Sequence, residues 1–503
     1  MTNAAGAQWE GRGSDARPVL VWFRRDLRLA DNPALGWAVG SGRPIVPVFV
    51  LDDETGDTAL GGASRWWLHG SLEALSNTLE RQGSRLVLRR GPAEAALAGL
   101  IAETGCSAIV WNRLYEPKTI VRDRCIKTEC GNRGIEARSF NAALLFEPWD
   151  ICTASGTAYG VFTPFWRRCL EHEFAAPGGA SLRLPTPGAW PPGDALEDWG
   201  LRSRAPDWAA GLRATWQPGE AAAQERLDAF ACGAVTRYGD DRDRPGDPAT
   251  SMLSPHLRFG EIGPRQIAAA IGPRKPDEGS DAFLRELGWR EFAHHLLFHN
   301  PGMERKNMRP AFDRLAWRDD PAGLERWQRG CTGYPLVDAG MRELWATGWM
   351  HNRVRMVAAS FLAKYLLIDW RAGAEWFVDT LVDADRANNS AGWQWVAGTG
   401  VDAAPYFRIF NPVAQSRRFD GEGRYLRRWL PELAELPDSL IHAPWTAPAP
   451  VLKAAGVNLG DTWPWPVVDH AYARKRALDA LQRVNRPEEF DETASPTGHE
   501  GTR

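Results

Sequence analysis

The chain has 503 residues, a formal net charge of -3 and seven cysteines. This length calls for more than one core, and near-neutrality means that any nucleic-acid surface is a local patch, not a global field. An odd cysteine count without a C-x-x-C pair argues against a disulfide framework, a zinc ribbon or a cysteine-held iron-sulfur cluster. No stretch approaches the roughly 20 apolar residues of a membrane span, and the first residues have neither a basic nor an apolar leader pattern. A cytoplasmic protein without a membrane is therefore expected. Of the 60 basic residues only seven are Lys. That bias suits bidentate phosphate recognition, but a genome-wide codon preference explains it equally well.

From Pro18 to Phe140 short apolar runs alternate with helical patterns: V-L-V-W-F, P-I-V-P-V-F-V-L-D from 44, R-L-V-L-R-R from 85, S-A-I-V-W from 107 and I-E-A-R-S-F from 135. Such a βαβ series predicts a doubly wound parallel sheet in an α/β domain over 18–140. Neither G-x-G-x-x-G after the first strand nor G-x-x-x-x-G-K-[ST] occurs, which argues against a dinucleotide Rossmann site and a P-loop. Residues 141–222 are rich in Pro, Gly and Trp and read as a long linker packed over both domains. Residues 223–485 show i, i+3, i+4 apolar spacing, as from Met341 to Leu344 and Val357 to Leu367, and predict an all-α domain. Polar tails are expected at 1–17 and 486–503.

Chemistry concentrates in the helical half. Glu286, Trp289 and Arg290 share one helical face, where they can accept from a base, stack on its ring and meet a phosphate. An amphipathic helix with one buried Trp and a surface ion pair has the same spacing. Trp393 and Trp395 project about 200° apart on a helix and must serve different environments. Asn352 and Met356 share a face without a titratable group, and Arg353 and Arg355 flank it. Asp383 or Asp385 can pair with a buried Arg or cap a helix. The charged loop from Tyr238 runs into Thr250, Ser251, Met252, Leu253 and Ser254, whose hydroxyls and free N–H groups suit an anion or an ordinary turn. His295 and His299 have H-x-x-x-H spacing, but no third ligand is apparent and no metal is expected.

Together these segments resemble the photolyase/cryptochrome family, most closely class I cyclobutane pyrimidine dimer photolyases of bacteria. The likeness runs from V-L-V-W-F-R-R-D-L-R-L-A-D-N-P-A-L (19–35), through E-P-W and V-F-T-P-F-W (147–166), to P-W-P near 464. Its most specific motifs are T-G-Y-P-L-V-D-A-G-M-R (332–342), G-W-M-H-N-R-V-R-M and A-P-Y-F-R-I-F-N-P.

The resemblance implies an FAD in the helical domain, reduced in its active form. Tyr238 and Thr250 to Ser254 would surround its phosphates, and Asn352, Arg355, Asp383, Asp385 and Asn389 its ring and ribityl chain, with Arg290 among the cofactor contacts. Asn389 falls where the family places a residue against flavin N5. DNA carrying a cyclobutane dimer is the implied partner, bound by a monomer. Glu286 would hydrogen-bond the flipped dimer, Trp289 and Trp395 would stack on it, and Asn352 and Met356 would line its pocket. Arg242, Arg353 and Arg408 match positions that meet the DNA backbone. Trp393, Trp370 and Trp317 match an electron relay to the surface. Six-four photolyases have His where this chain has Asn352 and Met356, so cyclobutane dimers are the implied substrate. Glu116 matches a contact to a folate antenna, although Tyr115 departs from the Asn seen beside it. Methenyltetrahydrofolate is favoured over 8-hydroxy-5-deazaflavin, with a deazaflavin or an empty antenna site left open. The competing functions are a cryptochrome photoreceptor, which Asn389 disfavours, and a small-molecule flavoenzyme, which leaves Arg242, Arg353 and Arg408 without a role.

Overall fold

In the computed structural model, residues 17–52, 59–179, 183–203, 205–272, 278–402 and 407–485 are described. The expected tails, apart from Arg17 itself, lie outside them, as does Tyr406 of the Y-F-R-I-F-N motif. Strands β1 (Val19–Phe23), β2 (Ile45–Leu51), β3 (Val87–Arg90), β4 (Ala108–Asn112) and β5 (Glu136–Phe140) form one parallel sheet in the order β3-β2-β1-β4-β5. Central β1 sends Leu20 and Trp22 into one core and Val19, Val21 and Phe23 into another. Burial on both faces explains why its sequence is a continuous apolar run instead of an alternation.

The C-terminal half is helical, with a core built from segments between Trp327 and Ala473. The helix expected across Val357–Leu367 departs from that expectation in its second half. An α-helix spans Asn352–Ser360, a π-helical turn follows over Phe361–Leu366, and Leu367 closes it at φ 56°. Every residue of that turn is buried, so no polar face marks where the helical period changes. Part of the expected linker also belongs to the core. Phe162, Phe165 and Trp166 lie at i, i+3, i+4 on the helix Phe162–Cys169 and pack with Phe292, Leu296 and other residues of the helix Glu278–His299.

The R-R-D-L-R-L run after β1 is a seam between the two halves. Arg28 donates to Gly260 O (2.9 Å) and Ala142 O (3.0 Å), Leu27 N donates to Phe259 O (3.1 Å), and Glu220 accepts from Leu29 N and Ala30 N, each at 2.8 Å. Beside it Glu261 accepts from Trp67 Nε1 (3.2 Å), Ser71 Oγ and Gly219 N (2.7 Å), and its second oxygen meets His256 Nδ1. Among the described residues no helix is long and apolar enough to cross a membrane.

Gly260 sits at φ 67°, and a Cβ there would lie 2.0 Å from Arg25 O. Strain in the left-handed region and overpacking act together, so Gly260→Ala is expected to cost about 2 to 4 kcal/mol in urea unfolding. Parental stability in this variant would show that the seam yields freely.

Candidate functional site

Helices Glu278–His299, Asn352–Ser360 and Arg386–Ala397 and the segment from Tyr238 to Arg258 enclose a cavity of about 590 Å³. That volume is within the range of small-molecule and cofactor sites. Nearly all the residues singled out from sequence line it: Tyr238, Arg242, Thr250 to Ser254, Glu286, Trp289, Arg290, Asn352, Arg353, Arg355, Met356, Asp383, Asp385, Asn389, Trp393 and Trp395. Trp370, Trp317, Arg408 and Glu116 are not in the lining.

One wall is polar. Asp383 accepts at Oδ2 from Arg355 Nη2 (2.8 Å) and Ser254 Oγ (2.6 Å), while Oδ1 is buried without a partner. Asp385 caps the next helix, accepting from Asn388 N at 2.9 Å. The ion-pair and capping readings therefore both hold, one for each Asp. Burial opposes ionisation of Asp385, but His294, Arg258 and Arg290 outweigh it and hold its carboxyl well below the usual range. Asn389 Nδ2 donates to Ala374 O (3.0 Å), which orients the amide on the wall. Met252 is held at φ 51° within the Thr250–Ser254 turn.

The other wall is aromatic. Trp289 stacks on Phe162 with centroids 3.8 Å apart and planes at 11°. Trp393 is 2% exposed and lies edge-on to Phe377 (5.1 Å) and Trp327 (6.1 Å), whereas Trp395 is only partly buried. The different environments expected for the two rings are present. Between them Gln394 is fully buried. It donates to Met303 O (2.7 Å) and Lys306 O (3.0 Å) and accepts from Met308 N (2.9 Å) and Thr399 Oγ1 (3.0 Å). Every hydrogen-bonding valence of the amide is used.

At the mouth the cations already have partners. Arg242 pairs with Glu286, and Arg353 Nη2 with Asp243. Arg290 donates to Ala143 O at 2.7 Å and lies 3.4 Å from Glu291. Arg408 is exposed, and its carbonyl accepts from the buried Lys364 Nζ at 2.7 Å. That ammonium also lies 4.2 Å from the Phe407 ring, and burial pushes it down to about 7. Trp370 is buried in the same core as Trp393 and donates to Asn307 Oδ1 (3.0 Å), with Trp317 packed against that core. Glu116 lies at the junction of the two halves, paired with Arg25. Burial disfavours its charge, but Arg25 and Arg258 lower it to about 2, and its Oε2 has no partner. His295 and His299 both point a ring nitrogen at Pro148 O, each at 3.2 Å.

Sequence reasoning missed Phe162, Gln394, Lys364, Trp327 and Arg258. Phe162 stands in the V-F-T-P-F-W motif and Gln394 in W-Q-W, so both were within view. The other three carried no signal of their own.

A cavity with one polar and one aromatic wall suits a planar cofactor with a polar rim, and the chain belongs to the photolyase/cryptochrome family. Residues 19–186 match the family described as DNA photolyase, and residues 283–483 the FAD binding domain of DNA photolyase. A deoxyribodipyrimidine photo-lyase of Agrobacterium fabrum is 51% identical over 93% of this chain and 98% of its own length. The crystal structure of a bacterial class III photolyase from Agrobacterium tumefaciens superposes with a TM-score of 0.91 at 50% identity, covering 94% of this chain and 98% of that one. Cryptochrome-1 of Arabidopsis thaliana is 38% identical over 96% of this chain and 72% of its own length. These relatives bear out the family, while the expected closeness to class I finds no support in a class III structure so similar throughout. The residues present fit FAD. Asp383 Oδ1, Arg258 Nη1 and Trp393 Nε1 are buried polar atoms of the lining residues without protein partners, which a polar cofactor can satisfy.

Lys364 yields a pH test. Between pH 7 and about 10 the unfolded chain holds a proton that the folded chain has shed, so this group makes stability rise with pH across that window. The stability difference between the parent and Lys364→Met should grow in the parent's favour from pH 7 to about 10 in chemical unfolding. A difference that does not vary with pH would refute a neutral buried Lys364.

Proposed function

We propose that this protein repairs cyclobutane pyrimidine dimers in DNA in a light-dependent reaction, as a monomer, with FAD in the cavity. The observation that carries the reading is that the polar wall at Asp383 and the stacking wall at Trp289 and Trp395 belong to one continuous space. A cofactor and a flipped dimer can therefore meet without intervening protein. Reduced FAD, when bound and excited, supplies the electron that splits the dimer.

The chain's own groups bind, orient and exclude water. Flipping a damaged pair costs a few kcal/mol, and two stacking residues return roughly 2 to 6 kcal/mol. Trp289 reaches this role with one face supported by Phe162, so its ring loses little freedom on binding. A phosphate that captures Arg242 releases Glu286 from its ion pair to hydrogen-bond the dimer. Asn352 Nδ2 donates to Met356 Sδ at 4.0 Å, and the two form a face without a titratable acid, which suits ring splitting over six-four chemistry. Trp393, Trp370 and Trp317 act as the relay that reduces oxidised flavin, a role supported by their common core. A methenyltetrahydrofolate antenna is assigned to the neighbourhood of Glu116, whose Oε2 is an acceptor without a partner. A cryptochrome-type photoreceptor is the second reading, and the Asn at 389 and the complete stacking pair weigh against it.

The test is illumination of the FAD-loaded protein with thymine-dimer DNA. Restored thymines under light but not in darkness are expected, and dark-equal or absent repair would sink the assignment. Trp289→Ala should remove about 1 to 3 kcal/mol of stacking and weaken dimer binding by roughly one to two decades, with little change for undamaged DNA. Equal loss on both DNAs would remove Trp289 from the dimer pocket.

Arg353→Ala removes the guanidinium that would exchange Asp243 for a phosphate. It should weaken DNA binding and flatten the log-log salt dependence by about 0.9, one contact's worth. An unchanged slope would show that Arg353 does not reach the backbone.

A further inference from the structure

Arg258 lies one turn beyond Ser254 on the short helix Ser254–Phe259 and is 8% exposed. It lines the cavity, and its Nε donates to Ala384 O, the carbonyl between Asp383 and Asp385. Its Nη1 is buried without a partner, and none of the ion pairs among the described residues includes it.

The carboxylates that attract Arg258, Asp385 and Glu116, and their neighbour Asp383 have closer partners of their own. Glu116 is paired with Arg25, Asp385 faces His294 Nε2 at 3.6 Å and caps Asn388, and Asp383 is paired with Arg355. Arg25 and Arg386 repel it. Burial is the largest influence and, against the pull of Asp385 and Glu116, lowers its pKa to about 9, so the protein compensates this cation only in part. A buried charge without a direct ion pair is costly, and the space it borders is the cavity. An anion there completes the arrangement.

Two parts of FAD carry negative charge, the pyrophosphate and the ring once reduced. The atoms near Arg258 discriminate between them. Asp383 Oδ1 is an acceptor awaiting a donor, and phosphate oxygens only accept, whereas the flavin ring carries an imide N–H. The 383–385 segment therefore suits the ring, and the hydroxyls of Thr250, Ser251 and Ser254 are left to the phosphates.

We propose that Arg258 is a positioning residue whose cation, held against the 383–385 segment, stabilises the bound flavin in its reduced, anionic form. This rests on the reading that the cavity holds FAD. Its charge opposes the two carboxylates of that segment, which by themselves disfavour added negative charge. Arg258 thus tilts the cofactor toward the state that repair requires without touching the DNA.

The experiment is spectroelectrochemical titration of FAD in the parent, Arg258→Gln and Arg258→Lys. Gln keeps an N–H for Ala384 O but no charge, and Lys keeps the charge. At a fixed poise the ratio of reduced to oxidised flavin should fall about tenfold in Arg258→Gln, a shift of about -30 mV for a two-electron couple. Arg258→Lys should remain near the parent. A parental potential in Arg258→Gln, or equal shifts in both variants, overturns the proposal while the FAD reading stands. If Arg258→Gln retains no FAD, Arg258→Lys decides: restored binding and potential support the charge, and the same loss refutes it. A parent that takes up no FAD would instead remove the reading beneath.

Discussion

Glu261 is 1% exposed, yet its two oxygens gather an indole, a hydroxyl, a backbone N–H and an imidazole from three separate stretches of chain. A carboxylate so placed is tolerated only with its lone pairs occupied, and losing a partner of a buried charge commonly costs 3 to 5 kcal/mol. The partners Trp67 and Ser71 come from the helix Gly62–Arg81 that covers the sheet, while His256 belongs to the same short helix as Ser254 and Arg258. The interaction that joins the two halves therefore also sets where the cavity's polar wall stands. Gly260, next in the chain, lets the seam close because only a hydrogen can fit beneath Arg25 O.

Within the cavity, charge is distributed by competition. Arg242 and Arg353 are held by Glu286 and Asp243, and Arg355 by Asp383. Partly exposed pairs of this kind are worth little each, so a polyanion can exchange them at small cost. The Arg355–Asp383 pair is different, because its carboxylate is 4% exposed and exchange there leaves a buried anion alone. One set of arginines is free to respond to a ligand, and the other fixes the wall.

The sheet was legible because β1, β2 and β4 are continuous apolar runs, and all five expected segments became β1 to β5. The site was legible through motifs: Glu286 and Trp289 share a helical face, and both Asp residues of D-A-D-R-A-N-N took one of the two roles weighed for them. What stayed hidden depends on partners distant in sequence. Glu286 meets Arg242 across 44 residues, Glu261 meets Trp67 across 194, and Lys364 meets Arg408 across 44. Local spacing is silent about such pairs. The π turn was hidden for another reason, since a segment buried on every side has no polar stripe whose drift could reveal it.

Gln394 gives the W-Q-W unit a further property. Its amide is bonded to Met303, Lys306 and Met308 and to Thr399 just beyond its own helix, so the helix between the two indoles is clamped to a neighbouring loop at three points and to its own C-terminal end at a fourth. Trp393 belongs to the core and Trp395 to the open part of the cavity, yet they share that clamp. The two rings behave as the ends of one rigid lever with its pivot at Gln394. Any change that rotates the pivot moves both ends in opposite directions, so the fit of the stacking surface and the packing of the core cannot be adjusted independently.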